Sequence, residues 1–222
     1  MIDTTYSPQI KVCGLKRVEE AVECATIGVN AIGMVFYPKS PRWVTEEEAK
    51  TISMALPQEV NKVGVFVDAT FATIMRKVER CRLTAVQLHH RESPELVRRL
   101  RNEKLLVIKA LFIEGIPSME NASEYDASAF LVECGQGVLP GGNALEWNWA
   151  TAKEFGEKHP LILAGGLAAD NVSDAIITST PDAVDVSSGV EFKPGGKDLN
   201  KVKAFMDAVS KCSIEKTARR IF

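Results

Sequence analysis

Apolar residues along this chain gather in short runs, separated by longer stretches where they recur at helical spacing. The runs are Ile10–Cys13, Ala31–Phe36, Lys62–Val67, Ala85–Leu88, Leu105–Ala110, Ala129–Glu133, Leu161–Ala164 and Ala183–Val186. Each is too short for an exposed helix and too uniformly apolar for a half-exposed strand, which suits strands buried on both faces. Helical patterning follows nearly every run. It covers Val18 to about Ile27, and a helix opened by the Thr45-x-x-Glu48 capping box that stops before Pro57. It continues from Thr70 to about Arg80, from Ser93-Pro94, from Trp149 to Glu157, from Asp170 to Thr178, and from Leu199 to about Val209. The segment Pro117–Tyr125, after the fifth run, is only weakly helical.

Eight strand–helix units predict an α/β fold of the (β/α)8 TIM-barrel class, one domain spanning residues 1–222. An open doubly wound sheet is the alternative, but it would rarely use eight even units without a dinucleotide fingerprint. The terminal segments read as short polar tails, and the C-terminal SIEKTARRIF reads as dispensable. A long glycine-rich loop, Cys134–Asn148, follows the sixth run and has the size of a lid or binding loop.

The stretch Leu161–Gly189 organises the chemistry. Gly165-Gly166 after the seventh run and Ser187-Ser188-Gly189 after the eighth are small turns that leave backbone N–H groups uncovered. A double glycine is more often a tight turn than a ligand site. The pair of turns, one unit apart near the end of a barrel-sized chain, instead suggests a phosphate site.

Composition narrows the field without naming a function. Hydrophobic content of 45% and charged content of 25% are those of an ordinary globular protein. A formal charge of −2 gives no reason to expect nucleic acid or an anionic membrane surface. No apolar run is long enough to span a membrane, and MIDTTYSPQ lacks the core of a signal peptide. The cysteines, Cys13, Cys24, Cys81, Cys134 and Cys212, are dispersed and form no C-x-x-C pair. That predicts neither a disulfide framework nor structural zinc, and fits a reducing cytoplasm.

Barrel enzymes carry reactive groups at the C-terminal ends of their strands. Those ends offer Cys13, Gln87-Leu88-His89, Glu133 and Asp185, with Arg42 in the proline-bounded loop after the second run. Cys13 alone is more often a small buried hydrophobe than a catalyst. At a strand end before glycine the two readings are comparable, and its thiol would need a lowered pKa to act as a base. Glu133 is equally a structural acid, but in apolar surroundings it becomes a candidate general acid. Arg42, held by its prolines, can present a bidentate fork to a carboxylate. Of the adjacent His89 and His90, His89 shares the phase of Gln87 and should point inward. His159, Trp147 and Trp149 read as packing residues. No His/Asp/Glu spacing suggests a metal.

With these residues assembled, the chain resembles the phosphoribosylanthranilate isomerases, barrel enzymes of tryptophan biosynthesis. The matching segments are IKVCG (10–14), IGMVFYPKSPRWV (32–44), KVGVFVD (62–68), AVQLH (85–89), LAGGL (163–167), NV (171–172), and VDVSSGVE with the following PGGKD (184–198). The resemblance implies an Amadori rearrangement of N-(5′-phosphoribosyl)anthranilate to its 1-deoxyribulose 5-phosphate isomer, without cofactor. It implies Cys13 as general base, a carboxylic acid at the end of strand six (here Glu133) as general acid, and Arg42 on the anthranilate carboxylate. Gly141, Gly142, Gly165, Gly166, Ser188 and Gly189 would take the phosphate, and His89 and Asp185 would line the substrate. The expected partner is the small phosphoribosyl substrate, with no nucleic acid or membrane, and the protein a cytoplasmic monomer or homodimer.

Three positions depart from the family pattern. Glu133 stands where aspartate is usual, His90 where glycine usually follows the strand-four histidine, and Gly141-Gly142-Asn143-Ala144 lacks its last glycine. A non-catalytic phosphosugar-binding relative and an isomerase of another phosphoribosyl amine therefore remain as alternatives. The latter should place carboxylates at the ends of strands one and five, where this chain has Cys13 and Ala110.

Overall fold

The computed structural model describes residues 5–135, 146–217 and 219–222. Eight parallel strands pair in chain order and close into a barrel. They are β1 (Gln9–Cys13), β2 (Ala31–Val35), β3 (Asn61–Phe66), β4 (Ala85–Leu88), β5 (Leu106–Phe112), β6 (Ala129–Glu133), β7 (Leu161–Leu163) and β8 (Ala183–Val186). The first and last strands pair directly, with Gln9 beside Ala183 and Lys11 beside Asp185.

Strand alternation sorts the side chains. Ile10 and Val12 of β1 point out, into the layer shared with helix α1 (Val18–Ile27), where they join Ala21 and Cys24. Small and branched residues fill the interior, among them Ala31, Val63, Ala85, Ile108, Leu131, Ile162 and Ala183. Helices α2 (Glu46–Ala55), α3 (Phe71–Cys81) and α4 (Pro94–Asn102) cover the next strands. Their starts follow the sequence: Thr45 and Glu48 form the capping box, while Thr70 and Ser93 cap α3 and α4. The weakly helical fifth segment is a 3-10 helix, Met119–Glu124. A 3-10 turn at Trp149–Ala152 runs into α5 (Lys153–Lys158), followed by α6 (Val172–Ser179) and α7 (Leu199–Ser210).

Two expectations change. β5 runs on to Phe112, because Phe112 is still in register with Glu133 of β6. The C-terminal tail is not a dispensable polar appendage. Ile221 and Phe222 are buried with the interior residues of the barrel and close its floor. Gln9 at the start of β1 clamps them: its Nε2 donates to the Phe222 carbonyl at 2.7 Å, and its Oε1 accepts from the Ile221 N–H at 2.7 Å. Lys216 and Arg219 both pair with buried Asp182, at 3.1 and 3.3 Å. The polarity of the tail thus anchors it, while its last two residues supply the plug.

Candidate active site

Gln9, Lys11 and Cys13 climb the inner face of β1 from floor to mouth. Cys13 fits there because its neighbour on β2 is glycine: a Cβ on Gly33 would come within 2.7 Å of the Cys13 Sγ. Lys11, fully buried, meets Asp185 of β8 at 2.8 Å. Burial pushes the Cys13 thiol up, against the lowering that a base requires, and the Lys11 ammonium is the first group to pull it back. Asp185 raises it further, while Lys197 opposes. Burial also pushes the Asp185 carboxyl up, with Lys11 as the main counterweight. Asp185, expected to line the substrate, is therefore engaged with the protein's own lysine.

Across the mouth stands a second group. Gln87 Nε2 lies 2.8 Å from His89 Nδ1, and His89 Nε2 lies 3.2 Å from Glu133 Oε1. With its proton on Nε2, the imidazole would accept from the Gln87 amide at Nδ1 and donate toward Glu133. All three side chains are buried. Gln87 Oε1 has no hydrogen-bond partner among the described residues. His90 points the other way and pairs with Asp68 at 2.8 Å. Below it, buried Lys109 pairs with Glu92 at 3.0 Å, and Glu92 accepts the backbone N–H groups of Asp68 and His90. That pair ties the loops after β3 and β4 to β5.

Arg42 is buried rather than open to solvent, and its fork is already occupied. Nε and Nη2 meet Glu191 Oε1 and Oε2 at 2.9 and 2.8 Å. Lys197 Nζ shares the same carboxylate at 2.8 Å and also donates to the Ser187 carbonyl at 3.1 Å. Two cations outweigh the burial that would otherwise raise the Glu191 carboxyl, and its pKa is lowered. Ser187 Oγ in turn donates to the Cys13 carbonyl at 3.0 Å, so the network touches the end of β1.

The two small turns converge. Gly165 and Gly166 have φ of +86° and +70°, the left-handed region that favours glycine. Gly189 lies against the chain beyond them, where a Cβ would stand 2.0 Å from the Leu167 carbonyl oxygen. Asn171 ties this loop together by accepting from Ala168 N–H at 2.8 Å and donating to the Gly166 carbonyl at 2.9 Å. Trp147 and Trp149 do more than pack a helix start. Their indole N–H groups donate to the Ala164 and Gly165 carbonyls at 2.9 and 3.3 Å. His159 lies away from the mouth, against Phe155 and Phe130.

The family model described as N-(5'phosphoribosyl)anthranilate (PRA) isomerase matches residues 10–208. The chain belongs to the phosphoribosylanthranilate isomerase family. It is 50% identical over 214 residues to the N-(5'-phosphoribosyl)anthranilate isomerase of Desulfatibacillum aliphaticivorans, covering 96% of this chain and 98% of that protein. It superposes on the crystal structure of phosphoribosyl anthranilate isomerase from Thermotoga maritima with a TM-score of 0.84 at 36% identity, covering 92% of this chain and all of that one. A further isomerase structure, in complex with reduced 1-(o-carboxyphenylamino)-1-deoxyribulose 5-phosphate, matches with a TM-score of 0.81 at 36% identity over 92% of this chain and 100% of that one.

Within this isomerase scaffold, Cys13, His89, Glu133 and Asp185 gather at one mouth, with Gly165, Gly166, Ser188 and Gly189 on its β7–β8 side. Gly141 and Gly142 lie outside the described residues. The sequence places Gln87 at a strand end without a role, and does not single out Lys11, Gly33, Glu191 or Lys197. Lys11 had a signal there, a charged residue inside an apolar strand run. Glu191 and Lys197 had none, because a short hairpin, Glu191–Lys193 with Gly196–Lys197, brings them together. Among the described residues, no group of three His, Cys, Asp or Glu side chains could hold a metal ion. No helix among them is long and apolar enough to cross a membrane.

Proposed function

We propose that this mouth converts N-(5′-phosphoribosyl)anthranilate to its 1-deoxyribulose 5-phosphate isomer, a step of tryptophan biosynthesis, with Cys13 as base and Glu133 as acid. Glu133 gives a proton to the furanose ring oxygen, the C1′–O bond breaks, and the anilino nitrogen takes up the resulting double bond. Cys13, as thiolate, removes the C2′ proton to leave an enolamine, which becomes the ketone as C1′ gains a proton and the C2′ hydroxyl loses one. His89 holds the Glu133 carboxyl through Nε2 and is itself oriented by Gln87. Gln87 Oε1, buried and without a hydrogen-bond partner among the described residues, suits a sugar hydroxyl. The turns at Gly165-Gly166 and Ser188-Gly189 hold the phosphate, and Arg42 attracts the anthranilate carboxylate from its place beside Glu191.

The observation that carries this reading is the juxtaposition in one mouth of a strand-end thiol and a strand-end carboxyl beside two glycine turns. The phosphoribosyl class of ligand is supported by the ligand of the similar isomerase structure. Five free thiols fit a cytoplasmic setting. The test is turnover of phosphoribosylanthranilate made in situ, followed by loss of its fluorescence, beside Cys13→Ser and Glu133→Gln. The expected result is turnover in the parent and a fall of roughly 10²–10⁴-fold in each variant. Binding of the reduced product analogue without parental turnover would leave a phosphosugar-binding relative instead.

A further inference from the structure

Lys11 has no part in the reaction just described, yet it is fully buried at the centre of the barrel. An ammonium in such a place is costly unless paired, and even a good pair seldom stabilises a fold more than apolar residues of the same volume. The Lys11–Asp185 pair therefore suggests a use beyond stability. Lys11 precedes Cys13 by two residues on one strand, so both side chains face the interior, one above the other. Asp185, its register neighbour on β8, fixes the ammonium from the side at 2.8 Å.

Three charged groups bear on the thiol: Lys11 from its own strand, Asp185 from β8 and Lys197 from the hairpin beyond β8. Lys197 is engaged by Glu191, which also grips Arg42. Lys11 has Asp185 as its carboxylate partner, and Asp185 and Cys13 both favour its charged form over the burial that opposes it.

We propose that Lys11 is a positioning residue for Cys13: anchored by Asp185, its ammonium stands beneath the sulfur and stabilises the thiolate that accepts the C2′ proton. The inference rests on Cys13 being the base, and its test has a readout that does not need turnover. The rate of Cys13 alkylation by iodoacetamide is followed against pH by peptide-resolved mass spectrometry, which separates Cys13 from the other four cysteines. Lys11→Met is compared with the parent, and Lys11→Met/Asp185→Asn with Asp185→Asn, so that a folded pair exists even if a lone buried Asp185 prevents folding.

Removing the ammonium should move the alkylation midpoint up by about one pH unit or more, and slow alkylation at fixed pH below it roughly tenfold. Lys11→Arg should keep most of the parental midpoint, and the rising limb of kcat/KM should move with the alkylation limb. Coincident midpoints in Lys11→Met and the parent, or in the two Asp185→Asn proteins where Lys11→Met does not fold, would overturn the proposal. A higher midpoint in Lys11→Met than in a parent that does not turn over would defeat the isomerase reading and leave only the support of the Cys13 thiolate by Lys11.

Discussion

Arg42 and Glu191 face each other as fork and carboxylate, Nε to Oε1 at 2.9 Å and Nη2 to Oε2 at 2.8 Å. The arginine assigned to the substrate's carboxylate thus has one carboxylate already. That pairing leaves Nη1 outside, and Lys197 on the same glutamate gives the trio one net positive charge. A single incoming carboxylate is what such a trio can still accommodate.

Arg42→Lys should therefore damage binding more than chemistry. Lysine supplies a point charge without the planar fork, and cannot grip Glu191 while reaching a ligand. Steady-state kinetics should show KM raised on the order of tenfold, about 1.4 kcal/mol, with a smaller change in kcat.

Gly189→Ala tests the phosphate turn. The added methyl would stand 2.0 Å from the Leu167 carbonyl oxygen, so one of the two turns must shift. A displacement of about 1 Å there should cost roughly a hundredfold in kcat/KM, with weakened inhibition by inorganic phosphate.

The floor plug should matter to stability alone. Replacing both Ile221 and Phe222 by alanine empties the base of the barrel at the end opposite the mouth. Urea unfolding should show a loss of at least about 3 kcal/mol, with kcat/KM of the folded protein unchanged.

His159 should make stability depend on pH. Burial, with Arg219 and Lys158 adding, holds its imidazole below the ordinary 6.5. Its folded pKa is depressed, so at low pH the unfolded chain binds more protons than the folded one. Stability from this group is complete above the unfolded value and is lost as pH falls through the folded one. The drop in urea midpoint between about pH 7.5 and about pH 5 should be smaller in His159→Gln than in the parent.

Much of this was legible in the chain because the barrel repeats one pattern. Short apolar runs, caps at Thr45, Thr70 and Ser93, and glycine turns are local features, and they placed the strand ends and with them Cys13, His89, Glu133 and Asp185. What escaped was nonlocal. The Lys11–Asp185 pair joins strands 174 residues apart, and Arg42 meets Glu191 across 149. The tail misled because its average polarity hid two apolar residues destined for the barrel floor. The upward push on Cys13 was also unreadable, since it depends on how completely the surrounding strands exclude water.

The β1–β8 pairing has a consequence for how the protein comes into being. Lys11 and Asp185 lie on either side of the last seam to close, so a chain leaving the ribosome carries an unpaired first edge until its eighth strand emerges. Closing a loop of that length makes the final zip the slow, high-contact-order event of folding. The buried charge pair marks that seam: apolar edges would adhere to any neighbour, whereas a lone lysine in the edge disfavours every mate except the strand that brings its aspartate.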